Sequence, residues 1–278
     1  LLRKNQQVCA KCPQKCLFNP RMTSYPLLGH GGATIAMIIL LYLKFVLHWG
    51  PEFMKNRKPF QIDKILIFYN SFQIVASFYV FQTVSIITLQ YAYLQGGYSI
   101  MCESIDTSRS ATALALIAAG YRYFLLKLID LLDTVFFILR KKNDQLSFLH
   151  IYHHAGMVAL VWTGAKFVPG GSSMLIVCVN SFVHTVMYLY YLIALITKNK
   201  EILWWKKYIT QLQLFQFLII SITSLYVLIG PYCGYPKWIG GILFLQNFFM
   251  LTLFGDFYYK TYVKKTSNNK TNSEIKAN

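Results

Sequence analysis

The chain has 278 residues, of which 55% are hydrophobic and 13% are charged. This composition excludes an ordinary soluble domain, in which about 25% of the residues are charged. The net charge of +17 comes mainly from short polar segments and the C-terminal tail. That pattern orients membrane proteins, so we expect one polytopic membrane domain and no nucleic-acid partner.

Seven apolar segments are long enough to cross a bilayer as helices, which takes about 20 residues each. They lie at residues 28–48, 65–92, 111–139, 146–164, 172–196, 208–231 and 238–260. The predicted fold is therefore an all-α membrane protein with seven transmembrane helices, which form one domain over residues 18–262. A polar N-terminal tail at 1–17 precedes this domain, and a basic tail at 263–278 follows it.

The distribution of lysine and arginine predicts the topology. These residues are concentrated in the first, third and fifth loops and in the C-terminal tail, and positively charged loops stay in the cytosol. The C-terminus is therefore predicted in the cytosol and the N-terminus in the lumen, although basic residues near the N-terminus oppose this orientation. The sequon at Asn269 should then stay unglycosylated. Cys102 and Cys233 fall in loops on the oxidising side, where we expect them to form a disulfide.

Three histidines in the fourth segment carry the clearest functional signal. His150, His153 and His154 fall within five residues, and positions i, i+3 and i+4 lie on one face of a helix. Polar side chains at membrane depth are costly and usually functional. The spacing therefore predicts an active site, although a single buried histidine can also serve only to hydrogen-bond a backbone carbonyl.

The third segment contains Lys127, Asp130, Asp133 and Thr134. A lysine next to two carboxylates offsets part of the cost of burying them. Two interpretations stay open for this cluster. The charges form an ion pair that locks helices together, or the carboxylates orient the histidines and receive a polar group of the substrate.

The fifth and sixth segments add polar residues at helical spacing. Asn180, His184, Tyr188 and Tyr191 form one stripe, and Gln213 and Gln216 share a face. Such glutamines can also simply hold transmembrane helices together. With a rise of about 1.5 Å per residue, the polar clusters of all four segments lie in the cytosolic half of the predicted membrane. We therefore expect a common polar pocket that opens to the cytosol.

Taken in order, these motifs resemble those of the very-long-chain fatty acid elongases, the membrane 3-ketoacyl-CoA synthases of the endoplasmic reticulum. The resemblance covers roughly residues 18–265. The family's His-x-x-His-His box matches residues 150–154, and its Lys-x-x-Glu-x-x-Asp-Thr motif matches residues 127–134. Its His-x-x-Met-Tyr-x-Tyr-Tyr and Thr-Gln-x-Gln-x-x-Gln-Phe motifs match residues 184–191 and 210–217. One departure is Asp130, which stands where the family usually has glutamate.

The resemblance implies condensation of a long-chain acyl-CoA with malonyl-CoA inside a helix bundle that encloses an acyl channel. It implies no cofactor and no metal, residence in the lipid of the endoplasmic reticulum membrane, and association as a homodimer or with other enzymes of the elongation cycle. The middle histidine, His153, is expected to carry the acyl group as an acyl-imidazole, and the competing interpretation makes it a general base in a ternary complex. The other expected site residues are catalytic His150, His154 and His184, supporting Asp130, Asp133, Asn180 and Gln213, and substrate-binding Lys127, Arg140, Tyr188, Tyr191 and Gln216.

Two other classes of protein compete with this interpretation. Di-iron desaturases and hydroxylases also use His-x-x-His-His boxes, but they need more histidines than this cluster offers. His30 and His48 both lie in the first segment, away from the cluster. The other alternative is a transporter or receptor without catalytic activity. This alternative gives no role to the three histidines on one face of the helix.

Overall fold

The computed structural model describes residues 20–29, 31–94, 99–197 and 199–264. Within these ranges the chain is helical and forms no β-strand. The predictions for residues 1–17, for Asn269 and for most of the basic tail concern residues outside the described ranges. The α-helices are α1 (Ala33–Lys44), α2 (Gly50–Met54), α3 (Asp63–Leu94), α4 (Ala111–Ile129), α5 (Leu131–Leu139), α6 (Phe148–Phe167), α7 (Ser173–Ile196), α8 (Lys206–Ile229) and α9 (Lys237–Tyr258).

Short helical turns connect or extend these elements. A π-helical turn, Phe45–Trp49, joins α1 to α2, and another, Tyr259–Lys264, continues α9. A 3₁₀ turn, Asn143–Gln145, lies between α5 and α6, and a second, Lys200–Trp205, leads into α8. The elements therefore follow the predicted order of apolar segments closely.

Five helical stretches are long and apolar enough to cross a membrane: Ala33–Met54, Asp63–Gln90, Ser173–Ile196, Glu201–Ile229 and Lys237–Lys264. They match the first, second, fifth, sixth and seventh predicted segments. The third segment is divided into helices of 19 and 9 residues, and the histidines of the fourth segment lower the hydropathy of its helix. The all-helical membrane architecture is thus confirmed, while the count of seven spans and the orientation of the termini stay predictions.

The third segment departs from the predicted continuous helix over 111–139, because α4 and α5 meet at Asp130. The Asp130 N–H donates to the Leu126 carbonyl at 2.8 Å, as in an α-helix, but the Asp133 N–H donates to the Asp130 carbonyl at 3.2 Å. This i→i−3 bond tightens the backbone in the manner of a 3₁₀ turn. The helix is therefore interrupted at the residue on which the predicted ion pair depends.

The chain divides into two compact units. Among the described residues, the first takes in those within 20–61, 83–94 and 103–174, and the second takes in those within 62–82, 99–102 and 175–264. The core of the first unit packs α1, α4, α5 and α6 together. Its buried side chains include Ile35, Tyr42, Ile117, Phe124, Leu131, Ile138 and Val158. In a membrane these side chains stabilise the fold mainly through van der Waals packing, because lipid tails are as apolar as the side chains.

In the second unit, α8 and α9 approach each other closely at Gly240. A Cβ atom at this position would lie 2.8 Å from Val227 Cγ1 and 3.1 Å from the Leu228 backbone nitrogen. Small residues at helix–helix interfaces in membranes allow such close packing, which compensates for the weak hydrophobic driving force in lipid. Glycine at 240 therefore permits the contact between the last two long helices.

Candidate active site

The histidine box lies in the first two turns of α6. Ser147 caps this helix, since its hydroxyl accepts a hydrogen bond from the His150 N–H at 3.2 Å. The ring centroids of His150 and His154 are 4.2 Å apart, and those of His153 and His154 are 5.8 Å apart. The helical spacing thus places three half-buried imidazoles in one cluster.

His150 has a defined partner on α5. Its Nε2 lies 3.0 Å from the Thr134 hydroxyl, and that hydroxyl lies 2.8 Å from the Tyr42 hydroxyl of α1. Phe137, one turn after Thr134, packs against the His150 ring with a centroid distance of 5.1 Å. The ring of His150 is therefore held both by a hydrogen bond and by an aromatic contact.

Lys127 and Asp130 form a buried ion pair in the same unit. Lys127 Nζ lies 2.8 Å from Asp130 Oδ2, and the two residues are 4% and 3% exposed. The ammonium group also lies 4.9 Å from the ring centroid of Tyr123, at cation–π range. The aspartate at 130, although shorter than the usual glutamate, thus reaches the lysine because both residues lie within one helical turn.

The two remaining charged residues predicted for this region belong to α5 and its end. Asp133 lies in the first turn of α5, where a carboxylate interacts favourably with the helix dipole. Arg140 follows the last residue of α5 and is half-buried. The first unit thus holds the three box histidines, the ion pair, Thr134, Asp133 and Arg140.

In the second unit, α7 presents the predicted polar stripe. Asn180, His184 and Tyr188 are buried, whereas Tyr191 is 40% exposed. The rings of His184 and Tyr188 lie 5.8 Å apart, and those of Tyr188 and Tyr191 lie 6.0 Å apart. The predicted stripe is therefore buried along its first two turns and becomes exposed at Tyr191.

The glutamines of α8 contact this stripe. Asn180 Nδ2 donates to Gln216 Oε1 at 3.3 Å, and Gln213 Nε2 lies 3.8 Å from the sulfur of Met187. Gln211 points elsewhere and donates to the Tyr258 hydroxyl at 2.7 Å. The prediction that Gln213 and Gln216 share a face is confirmed, because both contact α7.

Two residues of α3, Tyr69 and Gln73, were not predicted as part of this cluster. Gln73 Nε2 lies 3.1 Å from the Tyr69 hydroxyl and 3.3 Å from the Tyr188 hydroxyl, and the two hydroxyls are 3.4 Å apart. Asn70, Gln73 and Ser77 are all buried polar residues. Their i, i+3, i+7 spacing within an apolar segment was a readable sign of a buried polar face.

The structure also shows how the predicted disulfide cysteines are placed and whether side chains that could bind a metal lie together. Cys102 and Cys233 form a disulfide in the second unit, with a Cα–Cα distance of 5.6 Å. Within the described ranges, no three histidine, cysteine, aspartate or glutamate side chains group in a way that could hold a metal ion.

Comparison with known proteins agrees with the motif pattern. Residues 28–270 match the model of the ELO family, described as the GNS1/SUR4 family. Over 90% of the chain, the sequence is 41% identical to very long chain fatty acid elongase 4 of Macaca mulatta, of which it covers 78%. It is 37% identical to elongase 7 of Drosophila melanogaster over 94% of the chain and 77% of that protein. It is 38% identical to elongase 1 of Mus musculus over 88% of the chain and 87% of that protein. The chain belongs to the ELO (GNS1/SUR4) family.

Proposed function

We propose that this protein is a fatty acid elongation enzyme of the 3-ketoacyl-CoA synthase type. It condenses a long-chain acyl-CoA with malonyl-CoA and yields a 3-ketoacyl-CoA two carbons longer, carbon dioxide and free CoA. The three relatives named above carry the name of very long chain fatty acid elongases. The observation that carries the proposal is the cluster of three imidazoles on α6, because neutral imidazoles act as nucleophiles and bases near pH 7.

The reaction proceeds in two steps. A ring nitrogen of His153 attacks the carbonyl carbon of the acyl thioester, the carbon–sulfur bond breaks, and CoA leaves as the thiol once it takes up a proton. Malonyl-CoA then loses carbon dioxide to form an enolate. The enolate attacks the acyl carbon, the carbon–nitrogen bond breaks, and His153 is regenerated. Two steps allow the first CoA to leave before malonyl-CoA enters.

The remaining residues support these steps. Negative charge develops on the acyl oxygen in each step and needs hydrogen-bond donors, a role we give to His184, Asn180 and Gln213. His150, His154 and Asp133 orient the reacting histidine. Tyr188, Tyr191 and Gln216 contact the substrate.

The two positively charged site residues have different proposed roles. Arg140 is half-buried at the end of α5 and is suited to contact a CoA phosphate. Lys127 is engaged with Asp130 in the buried ion pair, so we give this pair a positioning role in preference to a phosphate contact. The enzyme works in the lipid of the endoplasmic reticulum membrane with its active site open to the cytosol, as a homodimer or together with other enzymes of the elongation cycle.

The test separates the nucleophile from a general base. Incubation of purified protein with acyl-CoA alone should release free CoA in a burst and add the mass of one acyl group to the peptide that contains His153. The variant His153→Ala should lose both signals. His48→Ala is the matched control, because His48 is exposed and lies outside the cluster. If wild-type protein releases no CoA until malonyl-CoA is added, the acyl-imidazole is wrong and His153 acts as a base.

A further inference from the structure

A buried chain of hydrogen bonds ends on His150. It runs from the Tyr42 hydroxyl to the Thr134 hydroxyl over 2.8 Å and from there to His150 Nε2 over 3.0 Å. Thr134 is fully buried and Tyr42 is 7% exposed. All three side chains belong to the first unit, yet they come from three different helices, so this chain is a product of tertiary packing.

Thr134 uses its hydroxyl differently from other helical threonines of this protein. Several of them donate to a backbone carbonyl three or four residues earlier, which is the usual choice of threonine in a helix. This group comprises Thr88, Thr163, Thr185, Thr223 and Thr252. The Thr134 hydroxyl instead joins two side chains, and its single hydrogen can serve only one of them.

The direction in which these hydroxyl groups donate follows from the Tyr42 end of the series of hydrogen bonds. Among the residues that the structure describes, Thr134 is the hydrogen-bond partner of the Tyr42 hydroxyl. The Tyr42 hydrogen therefore reaches an acceptor only when Tyr42 donates to Thr134, because a buried donor without an acceptor is costly. Thr134 then donates its own hydrogen to His150. The reverse direction would leave the phenolic hydrogen without an acceptor in this set.

We propose that Tyr42 and Thr134 are positioning residues that hold His150 as the neutral tautomer with its proton on Nδ1. In this tautomer the lone pair of Nε2 accepts the hydrogen of the Thr134 hydroxyl, and the single N–H proton of the ring lies on Nδ1. His150 then has no lone pair left for a nucleophilic attack or for proton abstraction. It acts as a hydrogen-bond donor through Nδ1, which leaves the nucleophilic role to another histidine of the box. The catalytic consequence rests on the proposed condensation, but the tautomer does not.

The first experiment measures the tautomer directly. Purified protein with ¹⁵N-labelled histidine, in detergent micelles, gives distinct ¹⁵N shifts for protonated and unprotonated ring nitrogens, and the variant His150→Gln assigns the resonances of His150. We expect a protonated Nδ1 and an unprotonated, hydrogen-bonded Nε2. Thr134→Val should shift the Nε2 resonance and allow the other tautomer, while Thr134→Ser should retain the wild-type spectrum. A protonated Nε2 in the wild-type protein would overturn the proposal.

The second experiment measures elongation with acyl-CoA and malonyl-CoA. Thr134→Val should lower kcat about tenfold with little change in KM, the loss expected when one hydrogen bond that positions His150 is removed. Thr134→Ser should restore most of the rate, and Tyr42→Phe should give an intermediate value. Tyr121→Phe is the matched control, because Tyr121 belongs to the same unit and packs against Tyr25 instead.

The outcomes separate this inference from the proposed function. If wild-type His150 carries its proton on Nδ1 but the protein does not elongate acyl-CoA, the proposed tautomer is supported and the proposed function is overturned. Active wild-type protein with equal rates for Thr134→Val and Thr134→Ser would overturn the positioning role. Where Thr134→Val fails to fold, Tyr42→Phe decides, because it removes only the hydroxyl and keeps the ring. A rate for Tyr42→Phe equal to that of Tyr121→Phe would then overturn the positioning role.

Discussion

A lysine and an aspartate that are both buried must be explained together, because each would be costly alone. Lys127 and Asp130 lie 2.8 Å apart with almost no exposure. The attraction between buried charges offsets the loss of hydration only while both partners are present. The pair therefore lies at the point where α4 meets α5, one turn before Thr134.

The ion pair gives the first prediction. Lys127→Met should lower the free energy of unfolding by roughly 3–5 kcal/mol, because it leaves a buried carboxylate without its cation. The double variant Lys127→Met/Asp130→Leu should cost less than the single variant. Thermal unfolding in detergent measures both. Additive losses from the two substitutions would contradict a direct coupling of the charges.

The second prediction concerns Gln73, whose amide lies between the hydroxyls of Tyr69 and Tyr188 in a fully buried cluster. Gln73→Leu removes the donor and leaves two buried hydroxyls with fewer partners, so unfolding should become easier by about 1–3 kcal/mol. Gln211→Leu is the matched control, since Gln211 is exposed and bonds to Tyr258. Equal losses of stability in the two variants would sink the argument that burial makes the difference.

At the level of helices, the predicted site residues of the first unit lie in three consecutive helices. α4, α5 and α6 hold the histidine box, the ion pair and Thr134, and none of them is among the five helical stretches that meet the length and hydropathy of a membrane span. Their polar side chains form a hydrogen bond and an ion pair within the first unit. Internal pairing of this kind makes polar residues tolerable at membrane depth.

The pairing of α8 with α9 gives the third prediction. Gly240→Ala should weaken it, because the new methyl group would lie 3.1 Å from the Leu228 backbone nitrogen and 3.2 Å from the Ser224 carbonyl oxygen. Overpacking of this kind typically costs about 1–3 kcal/mol. Gly241→Ala should be tolerated, since its Cβ would meet only the Leu228 Cδ1 at 3.6 Å. Comparing the melting temperatures of these neighbouring variants tests the contact, and equal temperatures would refute it.

On the scale of the whole molecule, sequence periodicity predicted the features that depend only on the spacing of residues within one helix. The segment predicted at 65–92 corresponds to the helix Asp63–Leu94, and the box histidines lie on one face of α6 as their spacing requires. The Lys127–Asp130 pair likewise follows from an i, i+3 relation. These features need only the geometry of a single helix, which the order of residues specifies.

Contacts between distant parts of the chain could not be predicted in this way. Tyr42 reaches Thr134 across 92 positions, and it is one of 20 tyrosines, so no local pattern distinguishes it. The polar spacing of Gln73 was readable, but its partner Tyr188 lies 115 positions away. The interruption at Asp130 was missed because apolar residues continue on both sides of it. Which residues meet across helices depends on packing that a single sequence does not encode locally.

The disulfide gives the fourth prediction. Cys102 and Cys233 enclose a long loop, with a sequence separation of 131, and closing such a loop stabilises by an amount on the order of 4 kcal/mol in the chain-entropy model. Cys102→Ser, Cys233→Ser and the double variant should therefore lower the melting temperature equally. Mass spectrometry of unreduced peptides should detect the linked pair. Full alkylation of both cysteines without reductant would contradict the bond.

The same disulfide also constrains how the protein is made. All residues of the first unit have been synthesised by position 174, whereas the second unit needs Cys233 to close its bond. At about 5–20 residues per second, a separation of 131 residues corresponds to roughly 7–26 s of translation. Throughout that interval Cys102, which the predicted topology places in the oxidising lumen, cannot yet bond to Cys233. Mixed disulfides between Cys102 and lumenal oxidoreductases would thus mark ribosome-bound chains that have not yet reached Cys233. Once synthesis has passed position 174, the histidine-bearing unit of these chains is complete while α8 is still to be synthesised.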